Sequence, residues 1–382
     1  MKLALVRQKY NPFGGAERFV ERALQSLREH GTSVTLITRE WKADGNDGRD
    51  VRICNPHYLT RKGRDAGFAQ EVQQIIASDE FDLVQSHERI PGCHLYRAGD
   101  GVHATWLELR GRVQSPLARM ATRLHPWHRY TLAAEAAMFR HAGLRAVICN
   151  SEMVKRDIAA RFGVADDRLH VIHNGVDLDS FHTGLREQYR SQTRELLGIA
   201  EQTPTVLFVG SGFERKGLAS LLSALAMMSN SNTHLVVVGR DRHQAAMEQL
   251  ARELGIIDRT RFLGGQADVR PYYAAADVFA LPTLYDPFPN AALEALACGL
   301  PVLTSPESGA AELITPACGV VAEALDVRAQ AVALDQLIAG ASAMRLAARD
   351  AAATCSLVDM TARLTALYST YATNAHSCQR RH

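Results

Sequence analysis

The stretch TVLFVGSGFERKGLASLLSALAMM, residues 205–228, reads as a strand, a glycine turn and a helix in immediate succession. Thr205–Val209 is a short apolar run of the kind buried on both faces of a parallel sheet. Gly210, Gly212 and Gly217 then let the backbone turn and approach a ligand, and Arg215 and Lys216 sit just before the helix that follows. A helix start flanked by cations favours an anion, with a phosphate or diphosphate as the natural candidate. A surface turn with solvated charges is the competing reading of this motif taken alone.

The same unit recurs outward from it. KLALVRQ, SVTLIT, VRIC, FDLVQS, LYRAGDG, RAVICNS and LHVIHNG are apolar runs before residue 180, and THLVVVGR, RFLGG, DVFALPT, PVLTS and GVVAEA follow Thr205–Val209, mostly with helical stretches between them. Such alternation predicts two doubly wound, Rossmann-like α/β domains facing each other across a cleft. Residues 183–203 are polar and lack a strand, so the boundary is placed there as a linker. The N-terminal domain then spans 1–182, the C-terminal domain 204–355, and an alanine-rich helix and tail at 356–382 are expected to pack back on the first domain.

Composition narrows the function. The chain has 382 residues, 47% hydrophobic and 22% charged, with a net charge of +2, which argues against bulk nucleic-acid binding. Residues 1–182 carry 26 basic and 22 acidic side chains, and residues 183–382 carry 17 and 19. Seven scattered cysteines without a CxxC pair indicate reduced thiols, with Cys54, Cys149 and Cys298 expected in the core. No apolar run is read as long enough for a signal peptide or a membrane span. The expected location is the cytoplasm, with a position on a membrane surface still open to it.

Two more loops carry chemistry. PFGGAER, residues 12–18, places Gly14 and Gly15 at a strand-to-helix turn, with Glu17 favouring the helix start. LYDPFPNAALEALACGLPVLTS, residues 284–305, holds Asp286 and Glu294 eight positions apart, with Asn290 opening the helix between them. Both acids fall at the carboxyl edge of the second sheet, where ligands bind. Carboxylates accept paired hydrogen bonds from vicinal hydroxyls, as on a sugar or ribose. Helix-dipole pairing is the alternative for them.

Across GGAER, VICNSEMVKRDI, VIHNGVDLDSF, VGSGFERKG and DVFALPTLYDPFPNAALEALACGLPVLTS the chain resembles the retaining glycosyltransferases of family 4, of the GT-B fold. YNPFGGAER with GSGFERKG is most similar to the lipopolysaccharide-core glucosyltransferases. The resemblance implies a hexose passed from a nucleotide-sugar, UDP-glucose favoured, to a lipopolysaccharide-core or related glycolipid. It puts the family's Glu-x7-Glu pair on Asp286 and Glu294, the second for the donor ribose and the first for the donor sugar. Here the first is one methylene shorter than glutamate. The diphosphate lysine falls on Lys216. Ser211 stands where the family usually has arginine, and Arg215 is its substitute. The donor set is therefore Gly14, Gly15, Ser211, Gly212, Arg215, Lys216, Asp286, Asn290 and Glu294.

A histidine near the reacting sugar is also implied, with His103 in GDGVHATW ahead of His87 in QSHERIPG. No cofactor or metal is expected. Charge on the departing diphosphate would fall to Arg215 and Lys216. Residues 110–130 hold Arg110, Arg112, Arg119, Arg123 and Arg129 with Trp127 and Tyr130 and no acid, a composition suited to an anionic membrane or, alternatively, to a solvated helix face. A soluble acceptor and a non-catalytic nucleotide-sugar-binding protein are the competing functions.

Overall fold

The structure is a computed structural model, and it describes residues 1–9, 32–40, 50–78 and 80–379, with only the helical backbone of 372–379. Gly14, Gly15 and Glu17 lie outside the described residues. The chain divides into two compact units, Met1–Asn174 with Val358–His382, and Gly175–Leu357.

The first unit is built on strands β1 (Lys2–Val6), β2 (Ser33–Thr38), β3 (Asp50–Ile53), β4 (Leu83–Ser86), β5 (Leu95–Arg97), β6 (Ala146–Cys149) and β7 (Leu169–Val171). They form a parallel sheet in the order β3-β2-β1-β4-β5-β6-β7. Leu3, Ala4, Leu5 and Val6 of β1 and all of β6 are buried, because the crossover helices of a parallel sheet cover both of its faces. Helices α1 (Arg61–Ala77), α2 (His103–Gly111), α3 (Pro116–Leu124), α4 (Pro126–Arg140) and α5 (Glu152–Phe162) belong to this unit. Ser151 caps α5 by accepting the Val154 amide at 3.2 Å, and Ser115 followed by Pro116 opens α3.

The second unit carries α6 (Leu185–Leu197), β8 (Thr205–Val209), α7 (Leu218–Met227), β9 (His234–Val238), α8 (Gln244–Glu253), β10 (Thr260–Phe262), α9 (Arg270–Ala275), β11 (Val278–Leu281), α10 (Asn290–Ala297), β12 (Val302–Thr304), β13 (Gly319–Val321) and α11 (Val327–Ala353). Its sheet is parallel, in the order β10-β9-β8-β11-β12-β13. Both sheets start at an inner strand, wind one way, and reverse. In the second the reversal lies between β8 and β11, which is where a doubly wound sheet opens a ligand crevice.

Three expectations need correction. Residues 183–203 are no linker: α6 packs in the second unit. Its Arg186, Arg190 and Arg194 lie four residues apart on one face and converge on Asp277 at 3.3, 3.0 and 3.5 Å. The boundary falls instead at Asn174, and the chain returns to the first unit after Leu357. Helix α12 (Leu357–Gln379) makes that return: Tyr368 donates to Gln85 at 2.6 Å and Arg363 to the Val171 carbonyl at 2.7 Å. Finally, α11 is long and apolar enough to cross a membrane, contrary to the sequence reading. It buries Leu334, Leu337, Ala348 and Ala352 in the second unit's core. Cys54, Cys149 and Cys298 are buried free thiols.

Candidate active site

The loops after β8 and β11 meet at the reversal point of the second sheet. Gly217 ends the first loop in a left-handed conformation, φ +74°, and a Cβ there would lie 1.9 Å from the Pro282 carbonyl oxygen. Only glycine lets the two loops approach this closely. The approach is closed by the Leu284 amide donating to the Arg215 carbonyl at 2.8 Å and by the Thr283 hydroxyl donating to the same oxygen at 2.8 Å. Gly217→Ala is expected to destabilise the second unit by about 3 kcal/mol or more, from backbone strain added to a steric clash. A urea midpoint within about 0.5 kcal/mol of wild type would contradict that.

This juncture brings Arg215, Lys216 and Asp286 together. Lys216 Nζ donates to Asp286 Oδ2 at 3.0 Å, and Arg215 Nη1 lies 3.2 Å from the same oxygen and donates to the Tyr285 carbonyl at 3.0 Å. The Asp286 and Lys216 side chains are 9% and 11% exposed, that of Arg215 35%. Burial alone would raise the Asp286 carboxyl, but Lys216 and Arg215 hold it below its ordinary value. The carboxylate stays ionised, and the cluster keeps one net positive charge with Arg215 as its accessible arm. An entering anion meets a cation pair already oriented by a fixed acid.

Two expected contributors behave differently. Gly212 does not offer a free amide: its N–H donates to Asp241 Oδ2 at 2.8 Å, and Phe213 N–H to the same oxygen at 3.0 Å. Asp241 lies just beyond β9 and also accepts the His243 amide at 2.8 Å. Burial pushes its carboxyl up, but these amides outweigh it and hold it low. The protein's own carboxylate thus pins the glycine loop, leaving the cations to receive a ligand anion. Ser211 is exposed on the same loop.

Glu294, on α10, accepts a hydrogen bond from the Tyr273 hydroxyl at 2.9 Å. Burial and the Glu294 charge push the Tyr273 phenol well above its ordinary value, so it remains a donor and orients the carboxylate. Asn290 opens α10, one turn before Glu294. Tyr273 and Asp241 went unnoticed in the sequence. A search of the first residues beyond every strand would have found Asp241, whereas Tyr273 stands out only by contact.

In the first unit His103 begins α2, just beyond β5, and is buried. Its amide donates to both Glu135 oxygens, at 2.9 and 3.2 Å, and its Nε2 lies 3.0 Å from His128 Nδ1. Glu135 also receives Arg89 Nε at 2.8 Å. Burial first, then the Arg89 cation, brings the His103 imidazole down to about 3, and burial with His125 brings His128 to about 4. Both rings are neutral at pH 7, so their bond is between neutral imidazoles. His87 lies beyond β4, against the Gln85 amide at 3.2 Å, and burial lowers it well below its ordinary value too.

Unfolded histidines take up protons near their ordinary 6.5, which the folded rings do not until about 3 or 4. The unfolded state binds more protons between those values, so stability falls as pH is lowered from about 6.5 toward 3. His103→Gln is expected to flatten that slope in urea titrations between pH 4 and pH 7. An unchanged slope would contradict the buried neutral pair.

The basic segment splits. Trp127 is not an outward anchor: its Nε1 donates to Asp65 at 2.7 Å, Arg61 lies 3.3 Å from its ring centroid, and His103 meets it edge-on. Arg112, Arg119, Arg123 and Arg129 are exposed, and Arg110 lies over the Trp106 ring at 6.0 Å.

Known proteins match this arrangement. Residues 13–180 match the model of Glycosyltransferase Family 4, and residues 190–353 that of Glycosyl transferases group 1. The chain is 30% identical over 325 residues to the lipopolysaccharide glucosyltransferase WaaG of Escherichia coli K12, covering 84% of this chain and 85% of that one. It is 33% identical over 379 residues to a D-inositol 3-phosphate glycosyltransferase of Mycobacterium sp. strain KMS, covering 90% and 82%. A crystal structure of WaaG, described as a glycosyltransferase involved in lipopolysaccharide biosynthesis, superposes with a TM-score of 0.81 at 28% identity, over 96% of this chain and 99% of that one. Two parallel-sheet α/β units with these matches define a glycosyltransferase of the GT-B type. The chain belongs to glycosyltransferase family 4.

Proposed function

We propose that this enzyme transfers a hexose from a nucleotide-sugar, UDP-glucose favoured, to a lipopolysaccharide-core or related glycolipid acceptor, with retention of anomeric configuration and no metal ion. The observation that carries the reading is the Arg215–Lys216–Asp286 cluster at the sheet reversal, with Tyr273-oriented Glu294 on the next helix. Arg215 and Lys216 bind the diphosphate, Glu294 accepts the ribose hydroxyls, and Asp286 meets the donor sugar. Asn290 and Ser211 border this donor set.

In the transfer the acceptor oxygen bonds to the anomeric carbon while the bond from that carbon to the β-phosphate oxygen breaks. The acceptor's proton passes to that departing phosphate oxygen on the same face, which accounts for retention without an enzyme nucleophile. The cation pair stabilises the charge as it develops, the work a bound metal does in other transferases. His103, held neutral and fixed by Glu135 and His128, orients a hydroxyl at the reaction centre as a donor or acceptor.

The acceptor class rests on the name of the lipopolysaccharide relative and on an outward apolar face of α3, where Leu117, Met120 and Leu124 are 76%, 56% and 64% exposed. Such a face suits peripheral contact with an anionic inner membrane. The D-inositol 3-phosphate relative favours a soluble acceptor as the second reading. The test is turnover with UDP-glucose in EDTA on truncated lipopolysaccharide core and on inositol phosphate, with the product linkage assigned by NMR. An α-linked hexose on the core supports the proposal. Transfer only to inositol phosphate, an inverted linkage, or turnover that needs a divalent cation would each overturn the corresponding part.

A further inference from the structure

The turn that carries Arg215 and Lys216 is stitched to the loop after β9. The Gly210 amide donates to the Val238 carbonyl at 2.8 Å. Gly239 lies so near that a Cβ on it would come within 2.1 Å of the Gly210 carbonyl oxygen. Beyond Gly239, Asp241 uses both of its oxygens. Oδ2 accepts the Gly212 and Phe213 amides at 2.8 and 3.0 Å, and Oδ1 accepts the His243 amide at 2.8 Å and faces His243 Nδ1 at 3.3 Å.

Of the two amides held by Oδ2, only one depends on it for its place. Phe213 is fully buried and its ring packs against Phe208, with centroids 5.9 Å apart. Gly212 has no side chain, and a Cβ on it would meet nothing nearer than Arg215 Nε at 4.0 Å. Packing therefore does not hold Gly212, and the bond to Asp241 does. From there the path to the ammonium is one residue long. The Gly212 carbonyl accepts the Lys216 amide at 3.0 Å. The Lys216 stem then runs over Gly210, where a Cβ would lie 2.5 Å from Cδ and 2.7 Å from Cε, and Nζ emerges 3.0 Å from Asp286 Oδ2.

We propose that Asp241 is a positioning residue of the donor site: it touches no substrate, and through Gly212 it sets where Lys216 Nζ stands. The role rests on the donor reading of the Arg215–Lys216–Asp286 cluster and adds to that cluster a support from a different loop. It requires a carboxylate at position 241. An asparagine has a single accepting oxygen, so Asp241→Asn turns an NH₂ group toward either the Gly212–Phe213 amides or the His243 amide, and donor faces donor.

The test is a double-variant cycle read by calorimetry in EDTA, with UDP, ADP and GDP each as the probe, on folded wild type, Asp241→Asn, Lys216→Ala and the double variant. For the nucleotide that wild type binds, Asp241→Asn is expected to weaken binding about tenfold, the usual effect of disturbing a hydrogen bond to a charged group. In the Lys216→Ala background the same substitution should change affinity by less than about twofold, because the group it positions is gone. Asp241→Asn also lowers the urea midpoint, but a role confined to stability weakens binding equally in both backgrounds. An equal loss in both, or no loss in either, would overturn the positioning role and leave the donor reading standing. Asp241→Glu keeps the charge and should recover part of the affinity, and a glutamate variant no better than asparagine would overturn the need for a carboxylate. If no nucleotide binds wild type, or Lys216→Ala binds as tightly as wild type, the donor reading fails and the role of Asp241 fails with it.

Discussion

Replacing Lys216 with alanine is expected to lower kcat/KM by about 10²–10³-fold, the usual cost of removing one group aimed at developing charge. The size follows from placement. The ammonium is buried, held 3.0 Å from a buried carboxylate, and cannot be replaced by solvent. Its loss also changes Asp286. Burial pushes that carboxyl up and the two cations push it down, so with Arg215 alone the balance moves toward the protonated acid. The Lys216→Ala profile should therefore show an acid limb at higher pH than wild type. Arg215→Ala, at a more exposed position, should cost less. A Lys216→Ala enzyme within about threefold of wild type would remove the cation pair from the chemistry.

Glu135→Ala is expected to produce the largest stability loss in the first unit, about 3 kcal/mol, because it strands a largely buried guanidinium. Glu135 is 1% exposed and serves Arg89 and the His103 amide at once. Without it Arg89 keeps, among the described residues, its bond to the Gly101 carbonyl at 2.9 Å and the more distant charge of Asp100, and the start of α2 loses its acceptor. Turnover should fall as well, because His103 is positioned through that start. Glu135→Gln keeps an acceptor while removing the charge, and should fall between alanine and wild type on both readouts. A Glu135→Ala protein unfolding at the wild-type urea midpoint would show that the pair is dispensable. If stability fell and turnover on the folded fraction did not, the role given to His103 would fail.

Much of this was legible in the residues. Short apolar runs separated by helical spacing are what a parallel sheet demands, and every run named from sequence in the described residues is a strand. Arg215 and Lys216 were read on one strand-end loop and Asp286 on another, the family resemblance put them in one donor set, and the structure joins them at one oxygen.

What escaped was carried by tertiary contacts. Arg186, Arg190 and Arg194 make α6 look solvated, yet Arg194 is 1% exposed because Asp277, from a distant strand start, pairs with it. Trp127 looks like a membrane anchor by composition, but Asp65 and Arg61 claim its edge and face. Asp241 looks like a surface acid and instead fills the amide site expected for a ligand phosphate. In each case hydropathy misleads because a buried polar group is tolerated once its partner arrives, and the partner is far away in sequence.

The central claim is that the sheet reversal in the second unit is a nucleotide-diphosphate site built on Lys216, Arg215 and Asp286. The measurement that tests it most directly is a thermal-shift screen of nucleotides and nucleotide-sugars in EDTA, on wild type and on Lys216→Ala. A ligand at about 100 times its dissociation constant stabilises the fold by about 2.7 kcal/mol, a readable shift. The expected result is stabilisation of wild type by one nucleoside diphosphate and its sugar, UDP and UDP-glucose first, with the shift lost or much reduced in Lys216→Ala. Nucleotides that leave wild type unmoved with or without magnesium, or that stabilise both proteins equally, would contradict it.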